Sequence, residues 1–253
     1  MNYKFVESVN FEDFSGGRVI YHKAGFTNYP VRLACEIFMR CLDKINKAKV
    51  SIYDPCCGSG YILTVLGFLY GDRIRAIYGS DVSAEAVSLA EKNLGLLPVE
   101  GLLRRKEELK ALYQAYGKDS HKQAVKSAER LLAMREMSEA SGIPCKVFRR
   151  DVLAEKEVPL AESMDEDNID IVITDIPYGS LVGWSTDGRP TVDKAISDPF
   201  TVDIMLENIK TNLNPGAIVA VSSDKRQRIS NPAYERLEKF KIGKRKVEIM
   251  IRE

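Results

Sequence analysis

Two short motifs contain the residues best suited to bind a small polar ligand and to act on it. The first spans 54–60 and reads Asp-Pro-Cys-Cys-Gly-Ser-Gly. A β-branched and aromatic run over 50–53 precedes it, and an apolar helical pattern over 61–70 follows it. The glycines allow turn conformations that a Cβ obstructs, and they let the backbone approach a ligand closely. A strand, a glycine turn and a helix in this order are typical of a cofactor site at the carboxyl edge of a parallel sheet.

Asp54, the acid that ends this strand, makes the motif different from the glycine motif of dinucleotide-binding enzymes. The pattern is D-x-x-x-G-x-G, whereas dinucleotide-binding proteins carry G-x-G-x-x-G. A carboxylate at this position suits a cationic amine better than a pyrophosphate. S-adenosylmethionine carries such an amine and no phosphate. We therefore predict an S-adenosylmethionine site, with Asp54 at the α-amino group and with Cys56, Gly58 and Gly60 in the turn that leaves room for the methionine part.

Three more acids end predicted strands further along the chain. Asp81 is placed to accept both ribose hydroxyl protons, and Asp151 is placed to accept from the adenine amino group. Asp175 completes the set and is assigned to the cofactor as well as to the acceptor. Acids at strand ends also serve as helix caps and turn formers. Three of them in register before Asp175 favour the cofactor site over that alternative.

The second motif, Asp175-Ile-Pro177-Tyr178, follows a buried strand pattern and lies 121 residues after Asp54. It resembles the (Asp/Asn)-x-Pro-(Tyr/Phe) motif of methyltransferases that alkylate nitrogen on planar bases or amides. Proline stiffens the turn, so that polar groups of the motif can orient the acceptor nitrogen. If the acceptor is a guanine ring nitrogen, Asp175 is the candidate base for its proton. Tyr178 is predicted to stack on the planar base; the alternative is a core tyrosine.

The loop that follows, 180–190, holds Trp184, the only tryptophan of the chain, and Arg189. A tryptophan in a glycine-flanked loop beside a base pocket suggests a stacking platform. Burial as a loop anchor is the alternative. Both residues are assigned to substrate binding.

Alternating strands and helices must position these motifs. Strands are predicted at 50–53, 74–81, 145–151, 169–174, 217–222 and 246–251, a strand or hairpin piece within 1–29, and helices at 31–45, 61–70, 84–94, 200–213 and 232–239. This alternation predicts an α/β fold with a mostly parallel, seven-stranded sheet covered on both faces. The residues from about 101 to 142 exceed the single helix and short loop that normally separate consecutive strands. They predict an inserted helical hairpin that is broken near 116–120. With an N-terminal extension over 1–49, we expect one domain spanning 1–253.

The composition narrows the classes of protein. A hydrophobic content of 45% is ordinary for a globular chain. Neither a membrane-spanning run nor a signal-peptide pattern is evident, so we expect a cytoplasmic protein. The two histidines, His22 and His121, are too few for a multi-histidine metal centre. The five cysteines show no C-x-x-C spacing, so neither a zinc site nor a disulfide framework is indicated, and we expect no metal.

The net charge of +1 hides an uneven distribution along the chain. Basic residues outnumber acids eight to five over 1–49, nine to six over 101–142 and ten to five over 224–253, whereas 143–210 has seven against fourteen. If the basic segments share a face, they form an electrostatic footprint for a polyanion. Solvated helix faces are the alternative.

Beyond these motifs, the chain resembles the AviRa-type rRNA methyltransferases, which confer avilamycin resistance. The doubled cysteine, Cys56-Cys57, within the glycine turn is an unusual shared feature. The likeness rests on Gly17-Arg18-Val19-Ile20, on 30–38, 54–61, 63–67, 80–82 and 90–94, on the charged insertion, on 174–179 with the tryptophan that follows, and on 236–243.

This resemblance implies a Rossmann-like class I S-adenosylmethionine-dependent methyltransferase. It further implies methylation of a guanine base nitrogen, N1, in large-subunit rRNA, with the rRNA or the ribosomal subunit as partner. Arg18 joins Tyr178, Trp184 and Arg189 in the predicted substrate set. The loop over 180–198 diverges from the family, and Ile176 stands where the family can have Leu, so the nucleotide that is modified stays open.

Other functions remain open on the sequence alone. A DNA amino-methyltransferase uses a similar motif but usually needs a larger target-recognition domain. A protein-glutamine methyltransferase fits the basic segments poorly. A cofactor-retaining RNA-binding module without activity has no need of both Asp175 and Tyr178. An NAD-dependent oxidoreductase lacks its glycine fingerprint.

Overall fold

A computed structural model gives the structure of residues 3–26, 28–137, 142–154, 169–177, 184–186, 189–190 and 199–253. The strands within these ranges are β1 (Val50–Asp54), β2 (Ile74–Asp81), β3 (Cys145–Arg149), β4 (Ile169–Asp175), β5 (Ser185–Thr186), β6 (Arg189–Pro190), β7 (Leu213–Asp224), β8 (Tyr234–Ile242) and β9 (Arg245–Arg252). The helices are α1 (Val31–Leu42), α2 (Tyr61–Tyr70), α3 (Ala84–Leu94), α4 (Val99–Tyr116), α5 (Asp119–Glu136) and α6 (Pro199–Lys210). Short 3₁₀ turns lie at Glu12–Phe14 and Gly71–Arg73.

Seven strands form one sheet in the order β3-β2-β1-β4-β7-β9-β8, as predicted in number. The pairings from β3 through β7 are parallel, and the pairings of β9 with β7 and with β8 are antiparallel. The chain order reverses between β1 and β4. In such sheets the ligand crevice lies outside the carboxyl ends of the strands at that reversal. β5 and β6 form a separate two-stranded ribbon.

Apolar side chains on both faces of the sheet hold the layers together. Ile52 and Ile171 belong to the cluster that includes residues of α1, α2, α4 and α5. Tyr53 and Val172, their neighbours in sequence, belong to the cluster under α6. Successive side chains of a strand point to opposite faces, so these strands need apolar residues at consecutive positions. This requirement explains the unbroken apolar runs from which the strands were predicted.

Helix boundaries follow local chemistry. Pro30 precedes the first residue of α1, and the Ser83 hydroxyl caps α3 by accepting a hydrogen bond from the Ala86 N–H. The predicted helical hairpin is present as α4 and α5, although α4 begins at Val99. Gly117 ends α4 in the left-handed conformation, with φ +61°.

The strand or hairpin piece predicted within 1–29 is wrong, because Val19 to Tyr21 pair with no strand among the described residues. Side chains take over the hydrogen bonds instead. The Tyr21 N–H donates to Asn93 Oδ1 over 2.8 Å, and Arg105 Nε donates to the Val19 carbonyl over 2.9 Å. Buried backbone groups need partners, and here the helices α3 and α4 supply them. The segment is thereby attached to the insertion.

The helix predicted over 232–239 is also wrong, because 232–233 form a turn and 234–239 lie in strand β8. A two-residue turn, Gly243-Lys244, connects β8 to β9, and Ile242 pairs with Arg245 directly across it. Gly243 has φ +56°, the left-handed conformation that tight hairpin turns require. Pairing with β9 therefore overrides the local helical pattern of a charged segment.

Candidate active site

A cavity of about 510 Å³ opens at the carboxyl edge of the sheet, where β1 and β4 diverge. All four predicted acids line it: Asp54 ends β1, Asp81 ends β2, Asp175 ends β4 and Asp151 follows β3. Asp54 of β1 pairs with Gly79 of the adjacent parallel strand β2. The carboxyl ends of these strands therefore lie at the same edge of the sheet, which brings the acids together. The volume lies in the range of pockets that hold ligands of nucleoside size.

The turn between β1 and α2 is fastened to the end of β2. The Gly58 N–H donates to Asp81 Oδ2 over 3.0 Å, and the Ser83 N–H donates to Asp81 Oδ1 over 3.0 Å. Gly58 has φ +53°, and among the described residues a Cβ built on it would contact only the Phe26 ring, at 4.0 Å. The missing side chain therefore leaves space in the cavity wall.

Gly60 does not line the cavity, although the sequence places it in the cofactor-binding set. It has φ +68°, and a Cβ built on it would lie 2.9 Å from the Cβ and 3.1 Å from the Cα of Ala90. Real Cβ atoms do not approach a neighbour so closely. Gly60 therefore shapes the turn and lets the start of α2 pack against α3.

Burial controls the ionisation of the cavity floor. Asp54 is buried and accepts a hydrogen bond from the Cys56 N–H over 3.1 Å, and burial raises its pKa to about 7. Burial also raises the pKa of Asp81. The Cys56 and Cys57 thiols have pKa values well above the usual range, chiefly through burial. Both cysteines therefore act as neutral groups of the wall.

Acidic groups dominate the cavity lining. Among the described lining residues, four are aspartates and two are arginines, Arg150 and Arg245. Arg150 is buried, and its backbone N–H donates to the Asp81 carbonyl over 3.0 Å. The lining therefore favours a ligand that carries positive charge.

Arg245 and Tyr29 are site residues that sequence reasoning missed. Arg245 Nε lies 3.8 Å from Asp175 Oδ1, and the guanidinium carbon lies 5.1 Å from the centre of the Tyr29 ring. The Tyr29 hydroxyl is 2.6 Å from Ser222 Oγ, and the Ser222 carbonyl accepts from the Ile176 N–H. These contacts fix the motif that follows β4. The signal that could have found Arg245 is the Gly-Lys hairpin turn immediately before it.

The N-terminal extension also reaches the site. Gly25, Phe26 and Tyr29 line the cavity beside the glycine turn. The sequence offered no local motif for these positions, since they lie between elements and their contacts are with distant residues.

Only some of the predicted substrate residues are found at the cavity among the described residues. Pro177 and Trp184 line the cavity; Trp184 is 7% exposed and belongs to the apolar cluster under α6. Tyr178 lies outside the described residues. Arg189 is described only as backbone, in β6. Arg18 does not line the cavity: its guanidinium donates to Ser127 Oγ of α5 over 3.3 Å and lies 3.4 Å from Glu12.

The described part of the chain shows neither a membrane-spanning helix nor a metal-binding cluster. No helix there has the length and apolar character needed to cross a membrane. No group of three or more His, Cys, Asp and Glu side chains there is arranged to hold a metal ion.

Comparisons with known proteins agree on one family. The model of the family described as rRNA methyltransferase AviRa matches residues 1–245. The 23S rRNA (guanine(2535)-N(1))-methyltransferase of Streptomyces viridochromogenes is 34% identical over 241 residues, which cover 95% of this chain and 91% of that protein. Two solved structures of rRNA methyltransferase aviRa from the same organism match with TM-scores of 0.85 and 0.84, at 31% and 32% identity, and cover 99% of this chain and 96% of each of theirs. The Rossmann-like α/β fold predicted from the sequence is confirmed.

Proposed function

Because this chain belongs to the AviRa family of rRNA methyltransferases, we propose that it methylates N1 of a guanine in large-subunit rRNA, with S-adenosylmethionine as methyl donor. The observation that carries the proposal is the acidic cavity at the strand reversal, which Asp175, Pro177 and Arg245 line together. A ribosomal substrate agrees with the cytoplasmic location expected from the sequence.

The donor set fits S-adenosylmethionine. Asp54 would balance the α-amino group, Asp81 would accept from the ribose hydroxyls, and Asp151 would accept from the adenine amino group. Gly58 leaves the space that the methionine part needs. When bound, S-adenosylmethionine supplies an activated methyl group on a sulfonium centre and leaves as S-adenosylhomocysteine. Most of the rate enhancement then comes from holding the acceptor in line.

The acceptor chemistry falls to Asp175 and Arg245. Guanine N1 carries a proton that must leave when N1 is alkylated, and the Asp175 carboxylate is the group at the end of β4 that can accept it. As N1 loses its proton, negative charge spreads to the neighbouring O6. Arg245, 3.8 Å from Asp175, is placed to donate to O6. A fixed cation in a low-dielectric site stabilises such developing charge strongly.

The base must leave any Watson–Crick pair before N1 can reach this cavity. RNA-binding proteins commonly read unpaired bases by stacking and edge contacts. Trp184 and Tyr178 are proposed to contact the base, and Arg189 to contact the adjoining backbone. Arg18 would act only on more distant parts of the RNA, because it lies against α5.

The test uses purified protein with radiolabelled S-adenosylmethionine and, in parallel, 23S rRNA, both ribosomal subunits, duplex DNA and a protein extract. We expect label in large-subunit RNA and none with Asp175→Ala. Reverse transcription maps the site, because a methyl group on N1 blocks Watson–Crick pairing and stops the polymerase. Label in DNA or protein would contradict the proposal. Cofactor binding without label in any substrate would favour a binding module.

The family resemblance also bears on physiology. We propose that the modified ribosome resists avilamycin. A sensitive host that expresses the wild-type chain should tolerate more of the drug than the same host with Asp175→Ala. Equal sensitivity, with the methyl group present in the rRNA, would separate the enzymatic activity from resistance.

A further inference from the structure

We propose that the exposed cations at the β7 and β8–β9 corner of the cavity form the docking surface for the RNA strand that flanks the target base. This surface, called the basic rim below, consists of Lys225, Arg226, Arg228, Lys241 and Lys244. The proposal rests on the proposed function for the identity of the polyanion. The new element is the part of the protein that binds this polyanion.

The sheet topology places the basic rim beside the active site. Strand β7 runs parallel to β4, and Ser222 of β7 pairs with Asp175. The chain leaves β7 at Asp224, which pairs with Arg245, the first residue of β9. The segment 225–228 and the hairpin tip 241–245 therefore emerge at the same edge of the sheet as the acids of the cavity.

Arg245 connects the basic rim to the active-site cavity. It follows the hairpin turn that carries Lys244, and its own side chain lines the cavity near Asp175. A strand that lies along the basic rim would thus continue directly to the group proposed to contact guanine O6.

The charge of the basic rim is largely uncompensated. All five side chains belong to exposed residues, and neither 225–228 nor 241–245 contains an acid. The neighbouring acid, Asp224, lies 3.1 Å from Arg226. The cations of the helical insertion differ, because several lie against acids: Arg105 and Glu108 are 2.9 Å apart, and Lys110 and Glu107 are 2.8 Å apart. The basic rim is therefore the better phosphate-binding surface of the two.

A buried lysine stiffens the basic rim. The Lys246 side chain is 2% exposed, and its ammonium donates to the Gln227 carbonyl in the middle of the 225–228 segment. The same ammonium lies 2.6 Å from a Glu248 oxygen, which is equally buried. The buried, charged Lys246 side chain therefore holds the 225–228 segment against β9. The cations are thus presented in a fixed arrangement, which lowers the entropic cost of binding.

The experiment compares two double variants of the full chain with equal charge change. Lys225→Glu with Lys244→Glu alters the basic rim. Lys49→Glu with Lys210→Glu alters an exposed lysine before β1 and a half-buried lysine before β7, 3.4 Å from Glu207, at the opposite, amino edge of the sheet. For each protein we would measure the KM for 23S rRNA, the affinity for the same RNA by filter binding over a salt series, and the Kd for S-adenosylmethionine.

For the basic-rim variant we expect a KM for rRNA about tenfold higher and a weaker dependence of RNA affinity on salt, because fewer counterions are released. The Kd for S-adenosylmethionine and the thermal midpoint should match those of the control variant. Equal KM values and salt dependences for the two variants would overturn the proposal. Filter binding keeps the test separate from the proposed function: if the wild type binds rRNA without methylating it, the function fails while the docking surface is still measured.

Discussion

Arg245 Nε and Asp175 Oδ1 lie 3.8 Å apart, although 70 residues separate them in sequence. The register of the sheet creates this proximity, because Asp175 pairs with Ser222 and Arg245 pairs with Asp224 on the same strand, β7. A candidate base and a cation thus meet in the lining of the cavity. In the proposed reaction, one accepts the N1 proton and the other donates to O6.

Arg245→Gln should lower kcat for rRNA methylation about 100-fold, which is the usual effect of removing one donor to a developing oxyanion. The Kd for S-adenosylmethionine should stay within about twofold, since the cofactor is assigned to other residues of the cavity. Arg245→Lys keeps the charge without the planar fork and should recover part of the loss. Single-turnover methylation and calorimetric cofactor binding measure both quantities.

The control for this prediction is Lys49→Gln, which removes an exposed cation at the opposite edge of the sheet. It should leave kcat unchanged. If Arg245→Gln raised KM for rRNA with kcat intact, Arg245 would belong to the RNA-binding surface only. A thermal midpoint far below that of the wild type would instead show that the pair with Asp175 is structural.

Asp54 should make cofactor binding depend on pH. Its pKa is raised to about 7 in the ligand-free protein, chiefly by burial, and only the ionised carboxylate can pair with the ammonium of S-adenosylmethionine. The Kd should therefore fall by roughly tenfold between pH 5.5 and pH 7, a window below the pKa of the cofactor amine. Calorimetry across this range measures it.

Asp54→Asn provides the control, with weaker binding that changes little over the same range. Stability gives an independent readout with a defined sign. A carboxyl whose pKa is higher in the folded state binds more protons there, so the ligand-free protein should lose stability as pH rises from about 4 to about 7. Asp54→Asn should reduce that loss. Identical pH dependences of Kd in both proteins would remove Asp54 from the amino-group site.

The part of the site that the sequence predicts well is the part built from local patterns. The acids Asp54, Asp81 and Asp175 each end an apolar strand, and parallel pairing brings strand ends together without further information. The glycine turn was recognisable for the same reason, because its geometry depends on residues adjacent in sequence. The seven-stranded fold followed from the alternation of strands and helices.

The part that the sequence hides depends on contacts between distant residues. Segment 232–239 has a charged, locally helical pattern, and only the pairing of its residues from Tyr234 onward with β9 makes them a strand. Arg245 enters the site through that same hairpin. Tyr29 lies at the cavity with its hydroxyl against Ser222 of β7, and side chains of α3 and α4 bind the extension at Tyr21 and Val19. No local sequence pattern in the extension predicts these hydrogen bonds.

The two glycines of the turn should respond differently to alanine. Both have positive φ, which costs about 1 kcal/mol for an L-residue. Gly60→Ala also drives a Cβ to 2.9 Å from the Ala90 Cβ, so its total cost should be about 3 kcal/mol. Gly58→Ala has, within the part of the chain that the structure describes, only the Phe26 ring nearby, at 4.0 Å, and should cost about 1 kcal/mol.

Cofactor affinity should show the opposite order. The new methyl of Gly58→Ala occupies the cavity wall and should weaken S-adenosylmethionine binding, whereas Gly60→Ala places its methyl between α2 and α3. Urea unfolding and calorimetry of both variants measure the two effects. Equal losses of stability would show that the contact with Ala90 relaxes, and equal losses of affinity would show that Gly58 is distant from the ligand.

Glu36 is the anchor of the chain terminus and gives the last prediction. Its buried carboxylate accepts hydrogen bonds from the Lys4, Phe5 and Val6 N–H groups over 2.7 to 3.1 Å and from Arg40 Nε over 2.8 Å. Burial alone would raise its pKa, but these bonds outweigh burial and lower it. The stabilisation should therefore be complete above about pH 4.5 and be lost as pH falls through the lowered pKa.

Glu36→Gln replaces one acceptor oxygen with an amide that donates, so that it faces backbone N–H groups that also donate. We expect a loss of about 2 kcal/mol in the free energy of unfolding at neutral pH, and faster tryptic cleavage after Lys4 because the first residues are released from α1. Glu12→Gln, at an exposed carboxylate 3.4 Å from Arg18, is the matched control and should change neither quantity measurably. Because Glu36 lies on α1 and lines no part of the cavity, the Kd for S-adenosylmethionine should be unchanged. A weaker Kd would mean that the whole extension, through Phe26 and Tyr29, moves as one unit with its first residues.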